Sequence, residues 1–178
     1  MVEDKSMQQN QWKANAISLM TAVNFSEMKI SSNPLETLVA FSIGSGIGLT
    51  IHDPGCCVGG ILHFILPDST IANRVKREKV LYMYADTGIP AFLKALVEQG
   101  AQREKLKIVI AGGAQVPGQS GIFNIGQKNY EVLIRILSNQ DLKIHHENIG
   151  GTSSRTLSLS IESGCSSIKI FGQGVEQI

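Results

Sequence analysis

Residues 38–66 read LVAFSIGSGIGLTIHDPGCCVGGILHFIL, and this stretch decides the fold class. It contains three apolar segments of strand length: Leu38–Ile43, Ile47–Ile51 and Val58–Leu66. The Gly-Ser-Gly of residues 44–46 and the Asp-Pro-Gly of residues 53–55 interrupt them with residues typical of turns. The stretch therefore predicts buried β-strands joined by short connections.

Further along the chain, two amphipathic segments predict helices. Pro90–Gln99 carries its apolar residues on one face, with Asp86 or Thr87 as the expected N-cap. Gln127–Leu137 shows the same periodicity. Four more strands are predicted, at Leu106–Ala111, Leu142–Ile149, Thr156–Ile161 and Ser167–Phe171.

The composition fits one ordinary domain. The chain has 178 residues, of which 43% are hydrophobic, enough for a core. Residues 1–24 form a polar N-terminal extension, and residues 25–178 are predicted to be a single mixed α/β domain.

Charge and hydropathy exclude several classes of protein. Sixteen Lys and Arg against fifteen Asp and Glu leave no basic excess for binding nucleic acid. The longest weakly polar run is too short to span a bilayer, and the first twenty residues lack the apolar stretch of a secretory signal. We expect a cytoplasmic protein without membrane insertion. Its three cysteines show no zinc-site spacing, so we expect free thiols.

Four groups of residues invite a functional interpretation. Residues 44–48 (Gly-Ser-Gly-Ile-Gly) could bind a phosphate, but an extended segment follows them, which favours a close backbone crossing. His63 could be a satisfied core residue or could face this glycine turn. The two imidazoles of His145 and His146 would point to opposite faces of a strand, which argues against a metal site. Nothing in the sequence lowers the pKa of the adjacent thiols of Cys56 and Cys57. We predict no cofactor and no metal.

Several motifs together resemble one family. They are Ile43-Gly44-Ser45-Gly46-Ile47, His52-Asp53-Pro54, residues 58–69 (VGGILHFILPDS), residues 84–87 (YADT), residues 110–114 (IAGGA), residues 124–129 (NIGQKN) and residues 149–155 (IGGTSSR). In this order and spacing they resemble the CheD family, the chemoreceptor glutamine deamidases of bacterial and archaeal chemotaxis.

The resemblance implies a fold and a reaction. The fold is two β-layers flanked by helices, an α-β-β-α sandwich similar to the catalytic domain of cytotoxic necrotising factor. The reaction is hydrolysis of glutamine side-chain amides on chemoreceptor cytoplasmic helices. A cysteine attacks the carboxamide, a histidine acts as base and then as acid, and a threonine positions the histidine.

Carried over residue by residue, this catalytic set is incomplete. The family histidine falls on His63, the cysteine falls on Gly46, and the threonine falls on Ala40. Removal of a nucleophile from such a set costs on the order of a millionfold in turnover. The sequence therefore predicts a CheD-like protein without deamidase activity, which binds receptors or a CheC-type phosphatase of CheY. The alternative is an active deamidase with a relocated nucleophile, for which Ser42, Ser45, Cys56 and Cys57 are the residues to consider.

Overall fold

The computed structural model describes residues 19–71, 80–115 and 124–178. These residues form ten strands, two α-helices and three short 3-10 helices at Ser69–Ile71, Leu81–Met83 and Arg103–Lys105. In chain order the strands are β1 (Leu19–Val23), β2 (Glu27–Ser31), β3 (Glu36–Ile43), β4 (Ile47–Asp53), β5 (Val58–Phe64), β6 (Lys107–Gly112), β7 (His146–Ile149), β8 (Arg155–Ser160), β9 (Ser166–Ile170) and β10 (Val175–Gln177). The helices are α1 (Ala85–Glu98) and α2 (Ile125–Ser138).

The strands lie in two five-stranded sheets. Sheet A has the order β1-β3-β8-β9-β10, and sheet B has the order β2-β5-β4-β6-β7. Strand pairs are antiparallel except β1 with β3 and β6 with β7. β3 belongs to sheet A and β4 to sheet B, so the chain crosses from one sheet to the other at residues 44–46.

The central strand β4 explains how the layers stack. Ile47, Leu49 and Ile51 face the helices, in a core shared with residues of α1 and α2. The alternate residues face sheet A: Thr50 Oγ1, for example, lies 3.0 Å from Ser166 Oγ. All seven residues of β4 are buried. Full burial of each large aliphatic side chain stabilises the fold by about 1.5–3 kcal/mol.

The predicted mixed α/β fold with two β-layers is confirmed. Both described α-helices pack on sheet B, and a second apolar core fills the space between the two sheets. Within the described residues, no helix is long and apolar enough to cross a membrane.

The predicted start of α1 is wrong. The helix begins at Ala85, and neither Asp86 nor Thr87 is its N-cap. Two N–H groups of its first turn, which have no acceptor within the helix, donate to carbonyls of an earlier segment. Ala85 N–H donates to Leu66 O, and Asp86 N–H donates to Pro67 O. The Asp86 carboxylate instead accepts hydrogen bonds from the N–H and hydroxyl of Ser69. A tertiary contact therefore replaces the side-chain cap.

Other boundaries differ at the edges of the sheets. β1 lies within the segment predicted as a polar extension, and residues 1–18 lie outside the described residues, so the domain boundary at residue 25 stays a prediction. Of the strand predicted at Leu142–Ile149, only His146–Ile149 forms. Leu142 N–H donates to Leu137 O, which makes residue 142 part of the turn that ends α2.

Candidate functional site

The turn between β3 and β4 lies against a second glycine-containing loop. Gly46 O accepts a hydrogen bond from Gly113 N–H at 2.8 Å, and Gly44 O accepts one from Ala114 N–H at 2.9 Å. A Cβ built on Gly112 would lie 2.3 Å from Gly46 O, so this approach requires glycine. The prediction of a close backbone crossing is confirmed. The chain continues as strand β4 and not as the helix that a phosphate loop needs.

His63 lies near the end of β5 and is 4% exposed. It shares a face of β5 with Ile61, which packs in the core between the sheets. Its Nδ1 has no hydrogen-bond partner in the part of the chain that the structure describes. Burial lowers the pKa of His63 to about 4, so the imidazole is neutral at neutral pH.

Gly46 and His63 face each other across neighbouring strands. A Cβ built on Gly46 would lie 3.4 Å from His63 Nε2. A side chain at position 46 would therefore start beside the imidazole. Of the two alternatives given for His63, the one in which it faces the glycine turn agrees with this distance. The same Cβ would lie 2.7 Å from Phe64 O and 3.2 Å from Ile65 Cγ2. The backbone of β5 thus occupies the space that a larger residue at position 46 would need.

Ala40 completes the set of three positions identified by the sequence. It lies on β3, is fully buried, and belongs to the same core between the sheets as Ile61. Ala40 has no hydroxyl group to hydrogen-bond an imidazole. The structure therefore brings His63 and Gly46 together and buries Ala40 in the layer that His63 faces.

Asn129 links the segment that carries Gly46 to the segment that carries His63. It was not identified as a site residue from the sequence. This residue of α2 is fully buried, and its Nδ2 donates to Ser45 O at 2.9 Å and to Ile65 O at 3.0 Å. These carbonyls belong to the segments that carry Gly46 and His63. Asn129 Oδ1 has no hydrogen-bond partner within the described ranges. A polar residue on the buried face of an amphipathic helix is the sequence signal that could have identified it.

Cys56 and Cys57 lie at the opposite end of the sandwich. They follow β4, whose seven residues separate them from Gly46 by roughly 23 Å at about 3.3 Å per residue. Desolvation raises the pKa of Cys56, and the hydrogen bond and charge of Asp53 raise it further. The two thiols and that of Cys165 are free, and the arrangement does not activate Cys56 as a nucleophile.

The histidine pair near β7 has structural contacts. His145 Nδ1 accepts a hydrogen bond from Ile108 N–H at 3.1 Å, and His146 Nε2 lies 3.1 Å from Glu176 Oε1. No cluster of three or more potential metal ligands occurs in residues 19–71, 80–115 and 124–178. That these two histidines do not share a metal ion stays a prediction.

Comparison with known proteins places these observations in a family. The family model described as CheD chemotactic sensory transduction matches residues 65–170, beginning two residues after His63. A probable chemoreceptor glutamine deamidase CheD of Solibacter usitatus is 41% identical over 142 residues, which are 80% of this chain and 83% of that protein. A protein of the same description from Symbiobacterium thermophilum is 35% identical over 162 residues, which are 89% of this chain and 97% of that protein. The chain belongs to the CheD family.

Proposed function

We propose that this protein is a non-catalytic CheD that acts by binding the cytoplasmic helices of chemoreceptors. One observation supports this most strongly: Gly46 stands where a side chain would begin 3.4 Å from His63 Nε2. A thiol protease-like deamidation needs a nucleophile at this place, and glycine supplies none. Loss of the nucleophile lowers turnover by on the order of a millionfold.

The state of His63 adds to the argument. A general base works best when its pKa lies near the working pH, and burial holds the pKa of His63 at about 4. Its Nδ1 has no partner among the described residues, and Ala40 lacks the hydroxyl group expected to position it. The imidazole is therefore neither oriented nor tuned for proton transfer at neutral pH.

The framework around position 46 is held by buried hydrogen bonds. Asn129 Nδ2 donates to Ser45 O and Ile65 O, and the two glycine turns pair through Gly46 O. Because relatives are described as probable chemoreceptor glutamine deamidases, receptor helices are the partner we propose for this scaffold. A CheC-type phosphatase of CheY is the second proposed partner. The proposal requires no cofactor and places the protein in the cytoplasm, where both partners act.

The alternative of a relocated nucleophile finds little support in the geometry. Ser42 is exposed and lines a cavity with Phe41, while the Cys56 and Cys57 turn lies at the other end of β4. Ser45 precedes the position that faces His63. We therefore treat detectable deamidation as the result that would contradict the proposal.

A binding measurement tests the proposal. The purified chain is titrated by calorimetry with a chemoreceptor cytoplasmic fragment and, separately, with a CheC-type phosphatase, using an unrelated coiled coil as control. We expect a complex with the receptor fragment at micromolar concentration and none with the control. Absence of a complex with both chemotaxis proteins would contradict the proposed binding role.

A further inference from the structure

A second surface lies at the same end of the sandwich as Gly46 and His63, and it combines a cavity with exposed aromatic side chains. A cavity of about 290 Å³ opens on sheet A, and its lining includes Phe41, Thr156, Lys169 and Phe171. The two phenylalanines are 49% and 79% exposed, although aromatic side chains of this size are usually buried. Exposed apolar groups around a concave polar floor are typical of an interaction site.

Phe41 lies on the outer face of sheet A, opposite to Ala40 in the core between the sheets, and next to an irregularity of the backbone. The pairing of β3 with β8 shifts between Ala40 and Ile43, and Ser42 has φ of 54° within this irregularity. A non-glycine residue in the left-handed region costs free energy, and bulges commonly redirect a side chain near functional sites. Phe171 follows the end of β9, where its N–H donates to Ser154 O.

The charge of the cavity points to an acidic partner. Among the described residues, Lys169 and Arg155 both contribute to the lining, whereas no Asp or Glu does. In the described part of the chain, no carboxylate lies within ion-pair distance of either side chain. Arg155 instead uses neutral acceptors, Asn148 Oδ1 and Ser153 O. An incoming carboxylate would find Lys169 without an ion-pair partner among the described residues.

The spacing of the aromatic rim fits a helix. Phe41 is on β3 and Phe171 follows β9, with β8 between these strands in sheet A. Two strand spacings amount to about 10 Å, which is close to the diameter of one α-helix with its side chains. The apolar stripe of an amphipathic helix would contact the rim, and its acidic residues would approach Lys169.

We propose that the face formed by Phe41, Thr156, Lys169 and Phe171, here called the aromatic face, docks an acidic amphipathic helix and prefers glutamate to glutamine at the contact position. This inference rests on the proposed function, because a chemoreceptor helix is the occupant to which we commit. A protein that lacks deamidase chemistry would then bind preferentially the receptor form that carries glutamate, the product of deamidation.

Two versions of one receptor cytoplasmic fragment test this preference, with all modification sites either Glu or Gln. We expect the wild-type chain to bind the Glu version about threefold to fivefold more tightly, which is the upper part of the range for one exposed charge pair. Lys169→Glu should reverse this preference, and Lys169→Gln should abolish it. Phe171→Ser should weaken binding of both versions by about tenfold.

Matched controls separate docking from general damage. Lys143→Glu makes the same charge change at an exposed position outside the cavity, and Val97→Ser removes an exposed apolar side chain from α1, which packs on sheet B. Both should leave affinity and preference within twofold of wild type. Lys169 and Phe171 are exposed, and circular dichroism would verify that their variants fold.

The outcomes distinguish the two proposals. If the wild-type chain binds the fragments but Lys169→Glu keeps the same preference, the aromatic face is not the docking site, while the receptor-binding function stands. Equal binding of the Glu and Gln versions by the wild type would also overturn the inferred preference. If the wild-type chain binds neither version, the receptor-binding function fails and the aromatic face fails with it.

Discussion

Two buried histidines on neighbouring strands of sheet B differ in what their surroundings provide. His52, near the end of β4, places Nε2 2.9 Å from Ile161 O and packs between glycines 59 and 164, where a Cβ would lie 2.7 Å and 2.3 Å from its ring. His63, at the opposite end of the sandwich, faces Gly46 instead. Both side chains are at least nine-tenths buried. The two histidines are therefore similarly buried but differ in the groups that contact their rings.

The same contrast extends to the groups around each histidine. Near His52, both carboxylate oxygens of Asp53 accept backbone hydrogen bonds, from Gly55 N–H and Gln102 N–H at 2.7 Å each. These hydrogen bonds hold the pKa of Asp53 below its ordinary value although burial raises it. Near His63, the Cβ position of Gly46 lies close to Phe64 O, and His63 Nδ1, like His52 Nδ1, has no hydrogen-bond partner within the described residues. The His52 end is fixed by hydrogen bonds between side chains and backbone, whereas at the His63 end the imidazole lies beside position 46.

The largest effect expected from this comparison is a pH dependence of stability. The folded protein keeps His63 neutral with a pKa of about 4, against 6.5 for an unperturbed histidine. Because the pKa of His63 is lower in the folded than in the unfolded protein, keeping it neutral contributes to the free energy of unfolding. That contribution is fully present above about pH 6.5 and is lost as the pH falls toward 4. The free energy of unfolding should fall by on the order of 3 kcal/mol from this group. Urea titrations between pH 7 and pH 4 measure it.

His63→Leu provides the control for this pH dependence. The variant cannot take up a proton at position 63, so its stability should decline less over the same interval. His52, whose pKa burial also lowers, remains in the variant and accounts for part of the residual decline. Parallel stability curves for the variant and the wild type would show that His63 is not held neutral by the fold.

A smaller effect is expected at the glycine turn. Gly46→Ala places a Cβ 2.7 Å from Phe64 O, which should destabilise the fold by about 2 kcal/mol. Gly44→Ala is the matched control, because a Cβ there meets no atom within 4 Å. Thermal or chemical denaturation compares the two variants. Equal stability of the two variants would contradict the close contact between position 46 and the carbonyl of Phe64.

The smallest effect separates the two histidines directly. Nδ1 has no hydrogen-bond partner in the described residues in either histidine, so the variants differ in the hydrogen bond from His52 Nε2 to Ile161 O, which only His52→Leu removes. At neutral pH we expect His52→Leu to be less stable than His63→Leu by about 1 kcal/mol. Chemical denaturation of both variants in one buffer measures the difference. A larger loss for His63→Leu would mean that the His63 end has a structural role.

The sequence predicted the central strands well because their signal is local. β4 and β5 are predominantly apolar segments beside glycine- or proline-containing turns, and β8 alternates strictly between buried and half-buried residues. β1, β2 and β10 were not predicted, since these edge or terminal strands carry mixed side chains and depend on pairing with distant partners. The cap of α1 was wrong for a similar reason: the carbonyls of Leu66 and Pro67 replace it.

The candidate site was only partly accessible from sequence. The family resemblance assigned His63 and Gly46 to one catalytic set. The antiparallel register of β4 and β5 brings Gly48 opposite His63, two residues from Gly46. Asn129 was missed because its two acceptors are 84 and 64 residues away in the chain. The aromatic face was missed as well, because it depends on the order of strands in sheet A. The catalytic role of His63 and the loss of activity at Gly46 stay predictions.

A deamidation assay on a chemoreceptor cytoplasmic fragment tests the central claim most directly, with conversion of glutamine to glutamate followed by mass spectrometry. The unmodified chain is run beside His63→Leu and beside a double variant with Ala40→Thr and Gly46→Cys. We expect the unmodified chain and His63→Leu to show the same background as buffer. Any conversion should occur only in the double variant. We expect its rate to be low, because the Cβ of Cys at position 46 would crowd Phe64 O. Conversion by the unmodified chain that disappears in His63→Leu would show that this protein is an active deamidase.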